Sequence, residues 1–124
     1  MNNYQELFIT KYVKIIKQDR LKYEIDSKKK KNNFLNHFCH DTFKYVDEKK
    51  IIYNGKYSEI VDIFEQFNKE IFYVISTDFD GKMMNMNDLK QYLSNEYMPV
   101  IAISYNVVII KEEMESYSNL YIMK

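Results

Sequence analysis

The chain has 124 residues and a hydrophobic fraction of 46%, which suffices for one domain with a single buried core and excludes a disordered chain. Its one cysteine excludes an internal disulfide, and its two glycines nearly exclude a phosphate-cradling loop. The formal net charge is zero, but residues 1–56 carry 13 Lys or Arg against 7 Asp or Glu, whereas residues 57–124 carry 5 against 11.

The first predicted element is an amphipathic helix of about five turns that begins near Tyr4. Its apolar positions recur at helical spacing and are Phe8, Tyr12, Ile15, Ile16 and Tyr23. Lys11, Lys14 and Lys17 fall on the opposite side of the same helix. The four lysines at 28–31 then predict a polar connection to a second helix.

A helical wheel of residues 33–46 separates an apolar arc from a polar arc. The apolar arc consists of Phe34, Leu35, Phe38, Cys39, Thr42, Phe43 and Val46. We therefore predict that Cys39 is a core residue, since a buried apolar thiol stays protonated and is a poor nucleophile. His37, His40 and Asp41 belong to the polar arc.

The middle of the chain predicts a strand and a third helix. The strand covers residues 50–53 and is closed by an Asn-Gly turn at 54–55. Ser58 is the expected N-cap of a helix over 59–69. The apolar side of this helix consists of Tyr57, Ile60, Val61, Phe64 and Phe67. Its outward side carries Glu59, Asp62 and Glu65.

The second half is richer in strands. The run IFYVIS at 71–76 is apolar on both faces, which is typical of a central strand, and Asp80-Gly81 suits a reverse turn. A short helix through Leu93, capped by Asn87 or Asp88, precedes strands in VIAIS, VVIIK and LYIM. Three or four helices, mainly N-terminal, and four or five strands predict a single α+β domain over residues 1–124 with a mostly antiparallel sheet.

The two histidines raise the question of a catalytic or metal site. His37 and His40 are three residues apart, so they share one helical surface, and Asp41 could stand behind one of them. A third metal ligand would have to come from a distant Asp or Glu, and HxxHD lacks the HExxH arrangement. The ordinary interpretation is a solvated polar face, and no metal or cofactor is predicted. The alternative is a small metal-dependent hydrolase or phosphoesterase that uses His40, assisted by His37 and Asp41.

The preferred hypothesis is a small binding protein, such as an immunity or inhibitor-type protein directed at a bacterial or phage-borne enzyme. The predicted binding residues are acidic: Glu59, Asp62 and Glu65, with Asp78 and Asp80 in support. The twelve tyrosines favour the same interpretation, because tyrosine is enriched at interfaces. We expect a protein partner, with a homodimer as a further possibility. Nucleic-acid binding through the lysine run is not expected, because the chain has no overall basic excess.

The sequence also indicates the cellular compartment in which the protein is expected. The longest apolar runs are too short to cross a bilayer as helices, and the N-terminal residues lack the layout of an export signal. We therefore expect a cytoplasmic protein without membrane contact.

Three short sequence motifs follow one another along the chain. They are FLNHFCH at 34–40, FYVIS at 72–76 and the Asp-Gly pair at 80–81. This series resembles short bacterial proteins of unassigned function, in which an FLxxLxH helix precedes a YVIS strand and a DG turn. The resemblance covers roughly Leu21 to Leu93 and matches His40, Ser76 and Asp80-Gly81. It implies a bacterial or mobile-element origin and carries no activity.

Overall fold

A six-stranded antiparallel sheet forms the centre of the structure, a computed structural model that describes residues 1–27, 29–60, 62–95, 99–112 and 119–124. The strands are β1 (Ile51–Lys56), β2 (Ile71–Ser76), β3 (Lys82–Asn85), β4 (Val100–Ile103), β5 (Val108–Lys111) and β6 (Asn119–Met123). Their order across the sheet is β1-β6-β5-β4-β2-β3. The predicted α+β class is therefore confirmed, with six strands instead of four or five.

The described helices come mainly before the sheet, as predicted. Those before β1 are α1 (Asn3–Tyr12), α2 (Ile15–Asp26), α3 (Lys31–His40) and α4 (Thr42–Tyr45). Those after it are α5 (Tyr57–Ile60) and α6 (Met86–Asn95), and 3-10 helices occur at Glu48–Lys50 and Ile63–Phe67. Among the described residues, no helix combines the length and the apolar character that a membrane span requires.

Side chains cover the sheet on both faces. In β4, Ile101 and Ile103 point into a core with α1, α2 and α3, whereas Val100 and Ala102 point into a core with α6 and the second 3-10 helix. We call these sides the first face and the second face. Because both faces are buried, β4 is a continuous apolar run and not an alternating one.

The first predicted helix is wrong as one continuous element, because α1 and α2 are separated at Val13. Val13 forms an isolated β-bridge with Val46, and the N–H of the next residue donates to the Tyr45 carbonyl oxygen at 2.8 Å. Backbone groups that pair with a distant segment cannot also continue the hydrogen bonds of the helix. The break turns α2, so that Ile15 and Ile16, predicted on the apolar side, are 85% and 86% exposed. Tyr23, assigned to the same side, is exposed as well.

The second predicted helix is present as α3, and after Asp41 the chain continues as α4. Cys39 is fully buried, as predicted, and His37 and His40 are exposed. Phe43 departs from its predicted apolar arc and is 44% exposed. The backbone of Asp41 has φ −141° and ψ 62°, which is not helical, so α4 does not continue the wheel of α3. Of the lysine run before α3, Lys28 lies outside the described residues.

The Asn-Gly pair at 54–55 does not form the predicted turn. Asn54 and Gly55, predicted as a turn, lie inside this strand and pair with Tyr121 and Leu120 of β6. The turn prediction is therefore wrong, because pairing with β6 supplies hydrogen bonds that a local turn would forgo. The runs predicted to form β2, β4, β5 and β6 do form these strands.

The predicted helix over residues 59–69 is wrong as a continuous α-helix. The chain forms α5 from Tyr57, one residue before the expected cap Ser58, and then the 3-10 helix. Phe64 and Phe67 are buried as predicted, since residues three apart lie above one another in a 3-10 helix. Val61 and the side chain of Ile60 lie outside what the structure describes.

The β2–β3 connection and the start of α6 follow local chemistry. The chain reverses at the predicted Asp80-Gly81 pair, where Gly81 has φ +135°. The Asp88 N–H donates to the Asn85 side-chain oxygen at 2.9 Å, so the cap lies before the predicted Asn87 and Asp88. The strand β3 is absent from the sequence prediction, because Lys82 and Asn85 are residue types that are depleted in strands and its strand conformation depends on the pairing with β2.

Tyr121 of β6 should make stability depend on alkaline pH. Burial, together with the charge and hydrogen bond of Glu112, raises the pKa of Tyr121 to about 12. Since tyrosine in an unfolded chain titrates near pH 10, the neutral phenol stabilises the fold fully below about pH 10, and this contribution is lost as the pH rises to about 12. The free energy of unfolding, measured with urea, should therefore fall between about pH 9 and about pH 12 by about 2 kcal/mol more in the wild type than in Tyr121→Phe. Equal losses would contradict this assignment.

Candidate functional site

The predicted histidines line a groove between α2 and the α3–α4 segment. One part of the groove has a volume of about 320 Å³ and is lined on the α2 side by Lys17, Arg20, Leu21 and Glu24. The adjoining part has a volume of about 360 Å³ and is lined by Asn36, His40 and Asp41. Both parts share His37, Lys44 and Tyr45. We call this surface the Tyr45 groove.

Packing against the core on the first face of the sheet holds Tyr45 in place. Its ring stacks on the buried ring of Phe38, with centroids 5.6 Å apart and planes at 28°. The Tyr45 carbonyl oxygen accepts a hydrogen bond from the backbone N–H of Lys14. This bond fixes the end of α4 beside the break between α1 and α2. The feature that interrupts the first helix thus also positions the aromatic residue of the groove.

Cations surround the Tyr45 ring. The ammonium groups of Lys17 and Lys44 lie 5.7 and 6.0 Å from its centroid, within the range of cation–π contact. Arg20 lines the same part of the groove, and its Nε–H donates to Glu24 Oε1 at 2.9 Å. This hydrogen bond raises the pKa of the Arg20 guanidinium. The groove therefore presents positive charge next to an aromatic ring.

Glu24 is the unusual member of the lining. It is only 6% exposed, and its Oε2 atom has no hydrogen-bond partner among the residues that the structure describes. A buried carboxylate oxygen without a donor is costly in free energy. Sequence reasoning missed Glu24, Arg20, Lys44 and Tyr45; the i,i+4 spacing of Arg20 and Glu24 was the available signal.

The residues of the predicted histidine site form part of the groove lining. His37, His40 and Asp41 are exposed and all line the groove. Within the described ranges, no group of three or more His, Cys, Asp or Glu side chains is placed to hold a metal ion. Cys39 is buried in the first core and does not line the groove.

The five predicted acidic binding residues differ in their contacts. Glu65 pairs with Lys90 of α6, and Asp78 accepts a hydrogen bond from the Tyr92 hydroxyl of the same helix at 2.9 Å. Of the remaining three, one forms an ion pair with a described residue and two do not. Asp80 pairs with Lys31 of α3 at 2.5 Å, so it is tied to the helices of the first face. Glu59 and Asp62 are exposed and form no ion pair with any described residue.

A second surface combines two half-buried tyrosines, Tyr4 and Tyr73, with the exposed ring of Tyr105 and exposed apolar side chains. The ring of Tyr4 stacks on Tyr73 at 5.5 Å and on Tyr105 at 4.7 Å. Met83 is paired with Tyr73 across β2 and β3, and Ile71 lies two residues before Tyr73 on the same side of β2. Ile71, Met83 and Tyr105 are 49%, 47% and 56% exposed. We call these five residues the tyrosine patch.

Comparison with protein-family models, curated proteins and solved structures finds no match to this chain.

Proposed function

We propose that this chain is a binding protein that contacts a protein partner through the tyrosine patch. The observation that carries the proposal is a stack of three tyrosines that ends at the exposed ring of Tyr105, next to the exposed side chains of Ile71 and Met83. The other two rings of the stack, Tyr4 and Tyr73, are half-buried. Tyrosine and methionine are enriched at protein interfaces, and rings already held by stacking lose little conformational entropy when they are buried by a partner. An exposed aromatic ring with two exposed apolar neighbours suits a partner with an apolar contact region.

The position of the patch beside the edge strand β3 supports the same proposal. Its Met83 belongs to β3, which pairs only with β2 among the described strands. The outer backbone groups of an edge strand are open to another chain, and proteins often protect such edges with charge. Lys82 is the charged residue of β3, but the next residue, Met83, is apolar and exposed. A partner that packs beside β3 would bury this methionine.

An immunity or inhibitor-type role toward a bacterial or phage-borne enzyme is the form of this function that we favour, in a cytoplasmic setting. Its support is the charge distribution. Residues 1–46, which form α1 to α4, carry ten Lys or Arg against five Asp or Glu. Residues 57–67 carry Glu59, Asp62 and Glu65 and no Lys or Arg, and Phe64 and Phe67 of this segment pack on the second face. These acidic residues lie across the sheet from the tyrosine patch, so they act on a basic partner through long-range attraction and not through contact. Reversal of Glu59 and Asp62 to lysine should therefore slow association at low salt.

The patch can be tested with two variants and the natural host extract. Tagged wild-type protein should recover a partner that Tyr105→Ala combined with Met83→Ser recovers roughly tenfold less well or worse, because central aromatic contacts contribute about 2 kcal/mol or more. Tyr23→Ala is the matched control, since Tyr23 is 63% exposed but lies on α2, outside the patch. Recovery of the same partner by both variants would contradict the proposal.

A small metal-dependent hydrolase or phosphoesterase is the second proposal. Its support is that His37, His40 and Asp41 line a concave surface beside Lys44 and Tyr45. It predicts metal-stimulated hydrolysis of a phosphate ester that His40→Ala abolishes while the circular dichroism spectrum is unchanged. Activity that survives this substitution would rule the hydrolase out.

A further inference from the structure

The part of the Tyr45 groove next to α2 carries positive charge that is not compensated within the described residues. Lys17 of α2 and Lys44 of α4 both line it, and neither forms an ion pair with any described residue. Their ammonium groups lie 5.7 and 6.0 Å from the centroid of the same ring, that of Tyr45. Two like charges beside one ring repel each other, and an anion that contacts both removes this repulsion.

Arg20 adds further donors to the same part of the groove. Its Nε–H donates to Oε1 of the buried Glu24, and this hydrogen bond holds the guanidinium at the groove. The N–H groups on the two Nη atoms form no hydrogen bond with a described residue, and the Arg20 side chain is 76% exposed. These N–H groups are therefore available to a ligand.

The number of cationic groups favours a phosphate over a carboxylate. A carboxylate brings one negative charge and two oxygens, whereas a phosphate monoester brings nearly two charges and three terminal oxygens. Three positively charged side chains, Lys17, Arg20 and Lys44, come from two different helices to one concave surface. Guanidinium and ammonium groups are the usual partners of phosphate in proteins.

The adjoining part of the groove indicates the chemistry of the rest of the ligand. Its lining consists of Asn36, His37, His40, Asp41, Lys44 and Tyr45. Each of these side chains ends in a polar group, and together they include hydrogen-bond donors and acceptors. Hydroxyl groups both donate and accept, so they match this lining better than an apolar group does. Because His37, Lys44 and Tyr45 line both parts, one ligand can occupy both.

The dimensions of the groove favour a small molecule over a strand of nucleic acid. Its two parts have volumes of about 320 and 360 Å³, at the lower end of those found for small-ligand sites. A nucleic-acid domain usually carries an overall basic excess, whereas this chain has 18 Lys or Arg against 18 Asp or Glu.

We propose that the Tyr45 groove binds a sugar phosphate. The phosphate contacts Lys17, Arg20 and Lys44, and the hydroxyl groups of the sugar contact Asn36 and His40. The inference involves no residue of the tyrosine patch and requires no hydrolysis of the ligand. It therefore does not rest on either function proposed above.

Isothermal titration of the full chain, without added metal, tests this inference with ribose-5-phosphate and its separate parts. Ribose-5-phosphate should bind roughly tenfold or more tightly than inorganic phosphate, because the sugar adds hydrogen bonds. Ribose alone should not bind at concentrations at which ribose-5-phosphate saturates the site. Phenyl phosphate has the same charge but no hydroxyl groups on its ring, so it should bind no more tightly than inorganic phosphate.

Two double variants separate the contributions of the two parts. Lys17→Ala combined with Lys44→Ala should weaken the binding of both ribose-5-phosphate and inorganic phosphate roughly tenfold or more, because two phosphate contacts are removed. Asn36→Ala combined with His40→Ala should reduce the affinity for ribose-5-phosphate to that for inorganic phosphate. The affinity for inorganic phosphate itself should stay unchanged in this second variant, a pattern that general damage to the fold would not give.

The control is Lys22→Ala combined with Lys49→Ala. It removes the same amount of positive charge as the first double variant, but neither residue lines the groove. This control should bind ribose-5-phosphate as the wild type does, since attraction by the net charge of the chain is not the cause of binding.

Four results would overturn the inference. They are the absence of ribose-5-phosphate binding at millimolar concentration, full affinity in the double lysine variant, equal weakening by the control, and phenyl phosphate binding as tightly as ribose-5-phosphate. A single-stranded oligonucleotide without a terminal phosphate that binds more tightly than ribose-5-phosphate would also overturn it, in favour of a nucleic-acid strand as the ligand.

Discussion

Replacing Phe38 by alanine should lower the free energy of unfolding by about 3 to 5 kcal/mol, the range expected when a fully buried phenylalanine leaves a cavity. The Phe38 ring is 0% exposed and contacts three other rings. Its centroid lies 5.3 Å from Phe8, 5.6 Å from Tyr45 and 5.8 Å from Phe34. The substitution removes these contacts and the support beneath Tyr45 together. Denaturant-induced unfolding at neutral pH measures the change.

The control for this prediction is Phe43→Ala. Phe43 is 44% exposed, with one edge-on ring contact to Tyr121, so its loss should cost about 1 kcal/mol or less. Similar destabilisation by the two substitutions would show that α3 is not packed as described.

Replacing Gly81 by alanine should destabilise the fold by about 2 to 4 kcal/mol, because backbone strain and overpacking act at the same residue. Gly81 has φ +135°, a conformation that residues with a side chain rarely adopt. In addition, an added Cβ would lie 2.1 Å from the hydroxyl oxygen of Tyr73. Tyr73 belongs to the tyrosine patch, so the substitution should also disturb the stack with Tyr4.

A double-mutant cycle with Tyr73→Ala separates these two causes. In the Tyr73→Ala background, Gly81→Ala meets no ring, so it should cost only the backbone term, about 1 to 3 kcal/mol. The difference between the two backgrounds then measures the overlap with the ring. A cycle with no coupling would show that Tyr73 does not pack against Gly81.

Much of the candidate site was hidden from the sequence because its members come from separate segments. The helical wheel correctly separates His37 and His40 from Cys39, since this separation depends only on the helical period. Tyr45 and Glu24 join the histidines only because α4 turns away from α3 and packs beside α2. The tyrosine patch has the same origin. Its rings come from α1, β2 and the β4–β5 connection, and no local pattern relates them.

The sequence by itself determined the α+β class, the burial of Cys39 and the apolar strands β2, β4, β5 and β6. Each of these follows from local periodicity and side-chain type, which act over a few residues. Only the tertiary structure decided the break at Val13, the inclusion of Asn54 and Gly55 in β1, and the strand β3. In these places, backbone hydrogen bonds to distant segments outweigh local preference, and the same long-range packing assembles the Tyr45 groove and the tyrosine patch.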